Sequence, residues 1–127
     1  MKQPISTDEA PKADQILSQA VISNGFIFVS GQIHNTTDGN LVDGFADIKF
    51  AQVMKNISAV LKAAGADLTD VVKVTIYVTD IWQLTKINEV YPTYFANPLP
   101  AREAVCVKEL PLGATVEVSV IAAQRRA

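Results

Sequence analysis

The chain has one cysteine and one histidine in 127 residues. Cys106 therefore has no partner for an intramolecular disulfide, and together with His34 it falls short of the Cys-rich or paired-histidine ligand sets that metal centres use. No metal and a reducing compartment are expected. An excess of positive charge is missing as well: 11 Lys+Arg against 13 Asp+Glu leave a formal net charge of -2. Proteins that bind nucleic acid usually carry a basic surface that displaces counterions from phosphates, so such a partner is not expected. The one local basic cluster, Arg125-Arg126, reads as a solvated tail. Long apolar runs are also lacking, and no segment approaches the roughly 18 uninterrupted apolar residues of a membrane span. Met1 to Lys12 is polar and contains proline, unlike the apolar stretch of a secretory leader or an Arg- and Ser-rich presequence. The expectation is a cytoplasmic protein with no membrane partner.

What is present is an ordinary globular composition, 49% hydrophobic and 19% charged, in a length that suits one domain, residues 1–127. Ser18 to Ile22 and Phe26 to Ser30 flank Ser23-Asn24-Gly25. Asn-Gly supplies the positive φ angles of a type I′ turn, which predicts a β-hairpin. Gly31 then follows the second strand, where the missing Cβ allows a bulge or the close approach of a ligand. Asp38-Gly39-Asn40 marks a second turn. From Ala46 to Ala64 the spacing is helical, with Phe50, Met54, Ile57 and Leu61 on one stripe and Gly65 where a C-terminal cap belongs.

Val71 to Thr79 alternates, with Val72, Val74, Ile76 and Val78 on one face and Lys73, Thr75, Tyr77 and Thr79 on the other, the pattern of a strand with one buried face. A second helix is predicted from about Leu84 to Phe95, kinked or ended by Pro92. Strands at Ala101 to Lys108 and Thr115 to Ala123 complete an order ββαβαββ. The fold class is then α+β, a mixed sheet with both helices on one face. The opposite face, expected to carry Thr75, Tyr77, Arg102 and Glu117, is too polar for a dry core and too apolar in its surroundings for open surface. That mixture suggests a subunit interface with a wet pocket.

Arg102 and Glu117 are charged residues inside the last two strands. By alternation Arg102, Ala104 and Cys106 share one face, and so do Glu117, Ser119 and Ile121. If those strands pair, guanidinium and carboxylate line one cavity. Two readings fit: Arg102 forks onto a substrate carboxylate while Glu117 orients a water, or the two form a structural ion pair. His34 reads as a solvent-exposed loop residue, Cys106 as a small buried hydrophobe in a strand, and Trp82 and Tyr94 as packing residues.

Ser30-Gly31-Gln32-Ile33, Val72-Lys73-Val74-Thr75, Ile87-Asn88-Glu89-Val90-Tyr91, Pro100-Ala101-Arg102 and Leu110-Pro111-Leu112-Gly113-Ala114, followed by Val116-Glu117-Val118-Ser119, resemble the Rid/YjgF family of reactive-intermediate deaminases in order and spacing. The resemblance runs from about Leu17 to Ala123. It implies a chorismate-mutase-like fold in a homotrimer, with clefts between subunits that hydrolyse 2-imino and enamino acids to 2-oxo acids and ammonia without a cofactor. It puts Arg102 on the family's carboxylate-binding arginine and Glu117 on its water-positioning glutamate. It puts Gly31 on a glycine whose backbone helps hold the substrate carboxylate, Ala104 on a position whose backbone amide lies in the same site, and Asn88 on an asparagine near the pocket. Leu17 stands where many relatives place a tyrosine, which implies an apolar pocket wall and a bias toward imines with apolar side chains. His34 stands where relatives often have proline. The alternatives carried beside this reading are a non-enzymatic trimeric chaperone or ligand sensor and a ribonuclease or translation inhibitor; a chorismate-mutase-like reaction rests on fold analogy alone, and fold does not carry function.

Overall fold

A computed structural model describes residues 1–125 of the chain. Six strands form one sheet in the order β1-β2-β3-β6-β4-β5. They are β1 (Gln3–Ile5), β2 (Ala20–Ser23), β3 (Phe26–Ile33), β4 (Val71–Val78), β5 (Ala101–Cys106) and β6 (Val116–Ala123), with helices α1 (Ala46–Ala63) and α2 (Gln83–Val90). The architecture is the expected α+β mixed sheet with two helices. One strand escaped the sequence reading: β1 pairs antiparallel with β2 through only three residues. Its middle residue is Pro4, which lacks a ladder donor and is tolerated on an edge strand, so neither length nor composition announced it. Among the described residues no helix is long and apolar enough to cross a membrane.

The β2–β3 hairpin turns on Asn24 and Gly25, with φ angles of 51° and 83°, as the type I′ turn requires. Helix α1 presents Phe50, Val53, Met54, Ile57, Val60 and Leu61 to the sheet, none more than 1% exposed. Full burial of an aliphatic side chain contributes roughly 1.5–3 kcal/mol, so this stripe alone holds the helix layer on. The helix ends in a Schellman pattern: Gly65 has φ 79°, and the amides of Gly65 and Ala66 donate to the carbonyls of Lys62 and Leu61 at 3.0 and 2.9 Å. Pro92 ends α2 rather than kinking a longer helix, and Tyr91–Tyr94 continue as one 3₁₀ turn.

In β4 the buried residues are Val71, Val74, Ile76 and Val78, while Val72 is 43% exposed. The pairing with β6 slips between Val71 and Lys73. A bulge there shifts the alternation by one residue, which a strict period of two does not foresee. The sheet face away from the helices carries Lys73, Thr75 and Tyr77 beside Glu103, Val105, Ser119 and Ile121. Phe28 and Phe26 extend it across β3, opposite Ile121 and Ala123. Phe26, Phe28 and Val105 are 40–43% exposed, giving the face the mixed polarity expected of it.

Candidate functional site

Arg102 and Glu117 are not brought together within one chain. Strand β4 lies between β5 and β6, with Val74 aligned to Arg102 and Tyr77 aligned to Glu117. Residues directly opposite one another in a sheet share a face. Arg102 therefore stands on the helix side with buried Val74, and Glu117 stands on the open face with Tyr77. Three residues along the strand and two strands across separate their Cα atoms by roughly 14 Å. The expectation that their strands pair and that both residues occupy the open face is corrected on both counts, and no intrachain ion pair joins them. Sequence alternation gives parity within a strand; the phase between strands depends on which strands are neighbours.

The Arg102 half lies at the sheet edge. Its guanidinium carbon sits 4.5 Å from the centroid of the Tyr91 ring, and Tyr91 is 4% exposed. Asn88, exposed on α2, precedes Tyr91 by one helical turn. Ala104 is half-buried on the same strand. In this parallel pairing the Val107 amide donates to the Val78 carbonyl. Because β5 alternates, the amides of Val105 and Glu103 point toward β4 and those of Ala104 and Arg102 point away from it, to the free edge. Ala104 thus offers an unused backbone donor beside Arg102.

The Glu117 half lies on the open face. Gly31 falls inside β3 rather than after it, at a bulge between Val29 and Gln32. A Cβ there would meet the Glu117 carboxylate, whose Cδ would be 3.0 Å away. Glycine is needed because the carboxylate lies against the backbone. Glu117 is half-buried, and burial raises its pKa above the ordinary carboxylate range. Leu17, 40% exposed, adjoins this half: the next residue, Ser18, accepts a 2.6 Å hydrogen bond at its carbonyl from the Ser30 hydroxyl.

His34 is 2% exposed, a correction to its reading as a solvent-facing loop residue. Its Nδ1 donates to the Val42 carbonyl at 2.9 Å and its Nε2 accepts from the Thr115 amide at 3.0 Å. Both nitrogens of the neutral ring are occupied, and burial lowers its pKa. The ring ties the end of β3 to the entry of β6, two residues before Glu117. Three other expectations change. Cys106 is exposed at the end of β5, and Trp82 is 79% exposed where packing was expected. Arg125 is an ion-pair residue rather than a free tail, reaching Asp67 and Asp70 at 2.7 and 2.8 Å, while Arg126 lies outside the described residues. Tyr94 does pack, edge-on against Phe50 with centroids 5.4 Å apart. Among the described residues no group of three or more His, Cys, Asp or Glu side chains is placed to hold a metal ion. The residue that sequence reasoning missed is Tyr91: nothing in a local pattern shows that the ring ending α2 lies under an arginine of β5.

The α+β architecture of this chain recurs in solved structures. A model of the family described as endoribonuclease L-PSP matches residues 7–124. The rat 2-iminobutanoate/2-iminopropanoate deaminase is 44% identical over 125 residues, covering 98% of this chain and 91% of the rat protein. The crystal structure of RidA from an Antarctic Psychrobacter superposes with a TM-score of 0.89 at 39% identity, covering 95% of this chain and 98% of that one. That of Escherichia coli TdcF with bound serine gives 0.89 at 29% identity, over 97% and 99%. The chain belongs to the Rid/YjgF family, which is also described as endoribonuclease L-PSP.

Proposed function

We propose that this chain is an imine deaminase that works as a homotrimer. It hydrolyses 2-imino and enamino acids to 2-oxo acids and ammonia in clefts between subunits. The observation that carries the reading is the separation of Arg102 and Glu117 on opposite faces of one sheet. A single chain cannot apply both to one small substrate, whereas a cyclic assembly can set the β5 edge of one copy against the open face of the next. The exposed aromatic and aliphatic residues of that face give such an assembly apolar area to bury. The rat relative's name specifies the imine substrates, and the serine held by the Escherichia coli relative has the carboxylate and amine that a 2-imino acid resembles.

In the cleft Arg102 holds the substrate carboxylate bidentately, with the Ala104 amide beside it and Asn88 at the rim. Fixing the carboxylate converts an encounter into an oriented attack geometry. Glu117 takes a proton from a water as the water oxygen bonds to the imine carbon and the C=N π electrons pass to the nitrogen, which then takes that proton from Glu117 to give a carbinolamine. Glu117 next takes the hydroxyl proton as the C=O bond forms and hands it to the nitrogen, which departs as ammonia. No cofactor enters this sequence. A carboxylate whose pKa is raised by burial is a stronger base than an exposed one, which suits the role. Endoribonuclease chemistry is less well served, since the lone histidine is buried with both ring nitrogens occupied.

The test is complementation between Arg102→Ala and Glu117→Gln chains. Each homotrimer should be nearly inactive. Remixed at equal amounts, three quarters of the trimers are mixed and each contains one intact cleft of three, so about one quarter of the wild-type clefts reappear. Recovery of keto-acid formation to that level supports a shared site. No recovery in verified mixed trimers means that both residues act within one chain, or not at all.

A further inference from the structure

The guanidinium of Arg102 has no carboxylate partner among the described residues, and no side-chain hydrogen bond there includes it. An arginine left this way has several free torsions, and ordering them opposes ligand binding. What restrains it is the face of Tyr91 at 4.5 Å. That ring is itself held: it is 4% exposed, its centroid lies 4.9 Å from that of Phe95 and 6.1 Å from that of Phe50, and Pro92 follows it in the 3₁₀ turn. Among the described residues its buried hydroxyl oxygen has no hydrogen-bond partner. The ring's contacts there are aromatic packing and the guanidinium. The feature in use is the face. Burial also keeps the phenol protonated, so the cation meets a neutral ring.

We infer that Tyr91 is a positioning residue for the reaction, its buried ring face holding the Arg102 guanidinium ready to receive the substrate carboxylate. A guanidinium stacked on an aromatic face keeps its N–H edge free for a planar, bidentate acceptor. The stacking removes torsional freedom before the ligand arrives, so less is lost on binding. This rests on the carboxylate-clamp role of Arg102 proposed above. It adds a residue that touches no substrate and acts only through the arginine, so its effect falls on substrate affinity and not on the water step at Glu117.

The experiment compares wild type, Arg102→Ala, Tyr91→Phe and Tyr91→Leu as intact oligomers. KM and kcat for 2-imino acids generated in situ by an amino-acid oxidase are measured alongside thermal melting. Tyr91→Phe keeps the face and should stay within about threefold of wild type in KM while melting no lower. Tyr91→Leu should raise KM by roughly 3- to 30-fold, the range of a cation–π contact, with kcat within about twofold. Should Tyr91→Leu not fold, phenylalanines carrying one to five fluorines at position 91 retain the shape while draining the ring face, and KM should rise stepwise with fluorine count. A flat fluorine series, or an unchanged KM in folded Tyr91→Leu, reduces Tyr91 to a packing residue and overturns the inference. A large kcat loss in Tyr91→Phe would instead make the hydroxyl a direct participant, and also overturns it. An Arg102→Ala variant with wild-type KM and kcat is a different failure: it removes the clamp itself, and this inference with it.

Discussion

Arg102 and Glu117 stand on the same sheet, two strands apart on opposite faces, and their surroundings differ as much as their charges. The arginine is at an edge strand, supported from beneath by an aromatic ring and bordered by a free backbone amide. The glutamate sits over the backbone of a bulge in the sheet interior, and burial raises its pKa. In the proposed function the first half binds an anion without changing protonation, since an arginine stays charged at any working pH. The second, in the same proposal, takes up and releases a proton. On the proposed reading the difference teaches a division of labour, with affinity assigned to the β5 edge and turnover to the open face.

The sharpest attack on that division is Arg102→Ala. A bidentate charge-assisted contact in a partly desolvated cleft contributes on the order of 2–4 kcal/mol, so kcat/KM should fall roughly 30- to 1,000-fold. Arg102→Lys keeps the charge without the fork and should recover only part. Loss under about threefold in a variant that scattering shows to be trimeric would leave a structural arginine and favour the sensor or chaperone alternative.

Glu117→Gln should instead lower kcat by about 10- to 100-fold with KM little changed. Because burial raises the Glu117 pKa, the carboxylate is protonated over a wider acid range, and the acid limb of the wild-type rate profile should lie above the ordinary glutamate value. That limb should vanish in Glu117→Gln. Gly31→Ala tests the same half without altering the carboxylate: its new methyl displaces Glu117, so kcat should drop about tenfold while the melting temperature holds. If KM moved more than kcat in either variant, the proposed division would be wrong.

His34 lies on the Glu117 side, tying the end of β3 to the entry of β6. His34→Ala leaves the half-buried Thr115 amide and Val42 carbonyl without partners and should cost about 1–3 kcal/mol of stability in chemical unfolding. The folded pKa of His34 lies below its ordinary value, so neutral His34 contributes fully above pH ~6.5. That contribution is lost as pH falls from there toward the lowered value, because the unfolded chain takes up the proton first. Wild-type stability should slope downward over that window, and His34→Ala should lack this part of the slope. An identical slope in both proteins would show that the acid sensitivity comes from elsewhere.

The smallest expected effect is at Leu17, beside the glutamate half. An aliphatic wall favours burying methylenes and offers no partner to a polar substrate. Leu17→Tyr should raise the rate on small or polar imines relative to apolar ones by about two- to fivefold. An unchanged substrate profile would place Leu17 outside the pocket.

Much of this was legible in the chain. Asn24-Gly25 carried the hairpin because few residues other than asparagine and glycine adopt positive φ without strain. The α1 stripe and Gly65 carried the long helix and its end, and Pro92 its shorter neighbour. These are local matters in which each residue's own stereochemistry or spacing decides. The errors fall where a distant segment intervenes. Alternation alone puts Val72 on the buried face, because the bulge beside it, between Val71 and Lys73, has no glycine or other local mark. His34 was read as exposed because its partners, Val42 and Thr115, lie 8 and 81 residues away. Trp82 and Cys106 were assigned by residue type, and type does not decide what covers a side chain.

By itself the sequence determined the kinds of element, the short strand β1 excepted, and it carried the motifs that mark the family and name Arg102, Glu117, Gly31, Ala104, Asn88 and Leu17 as the residues to watch. It did so because backbone preference and hydrophobic period act over a few residues at a time. Only the tertiary structure decided that β4 is threaded between β5 and β6, which puts arginine and glutamate on opposite faces and sets Tyr91 under the first and Gly31 under the second. Strand order is settled by how the apolar faces of all six strands pack together with two helices, a property of the whole chain that no segment of it contains.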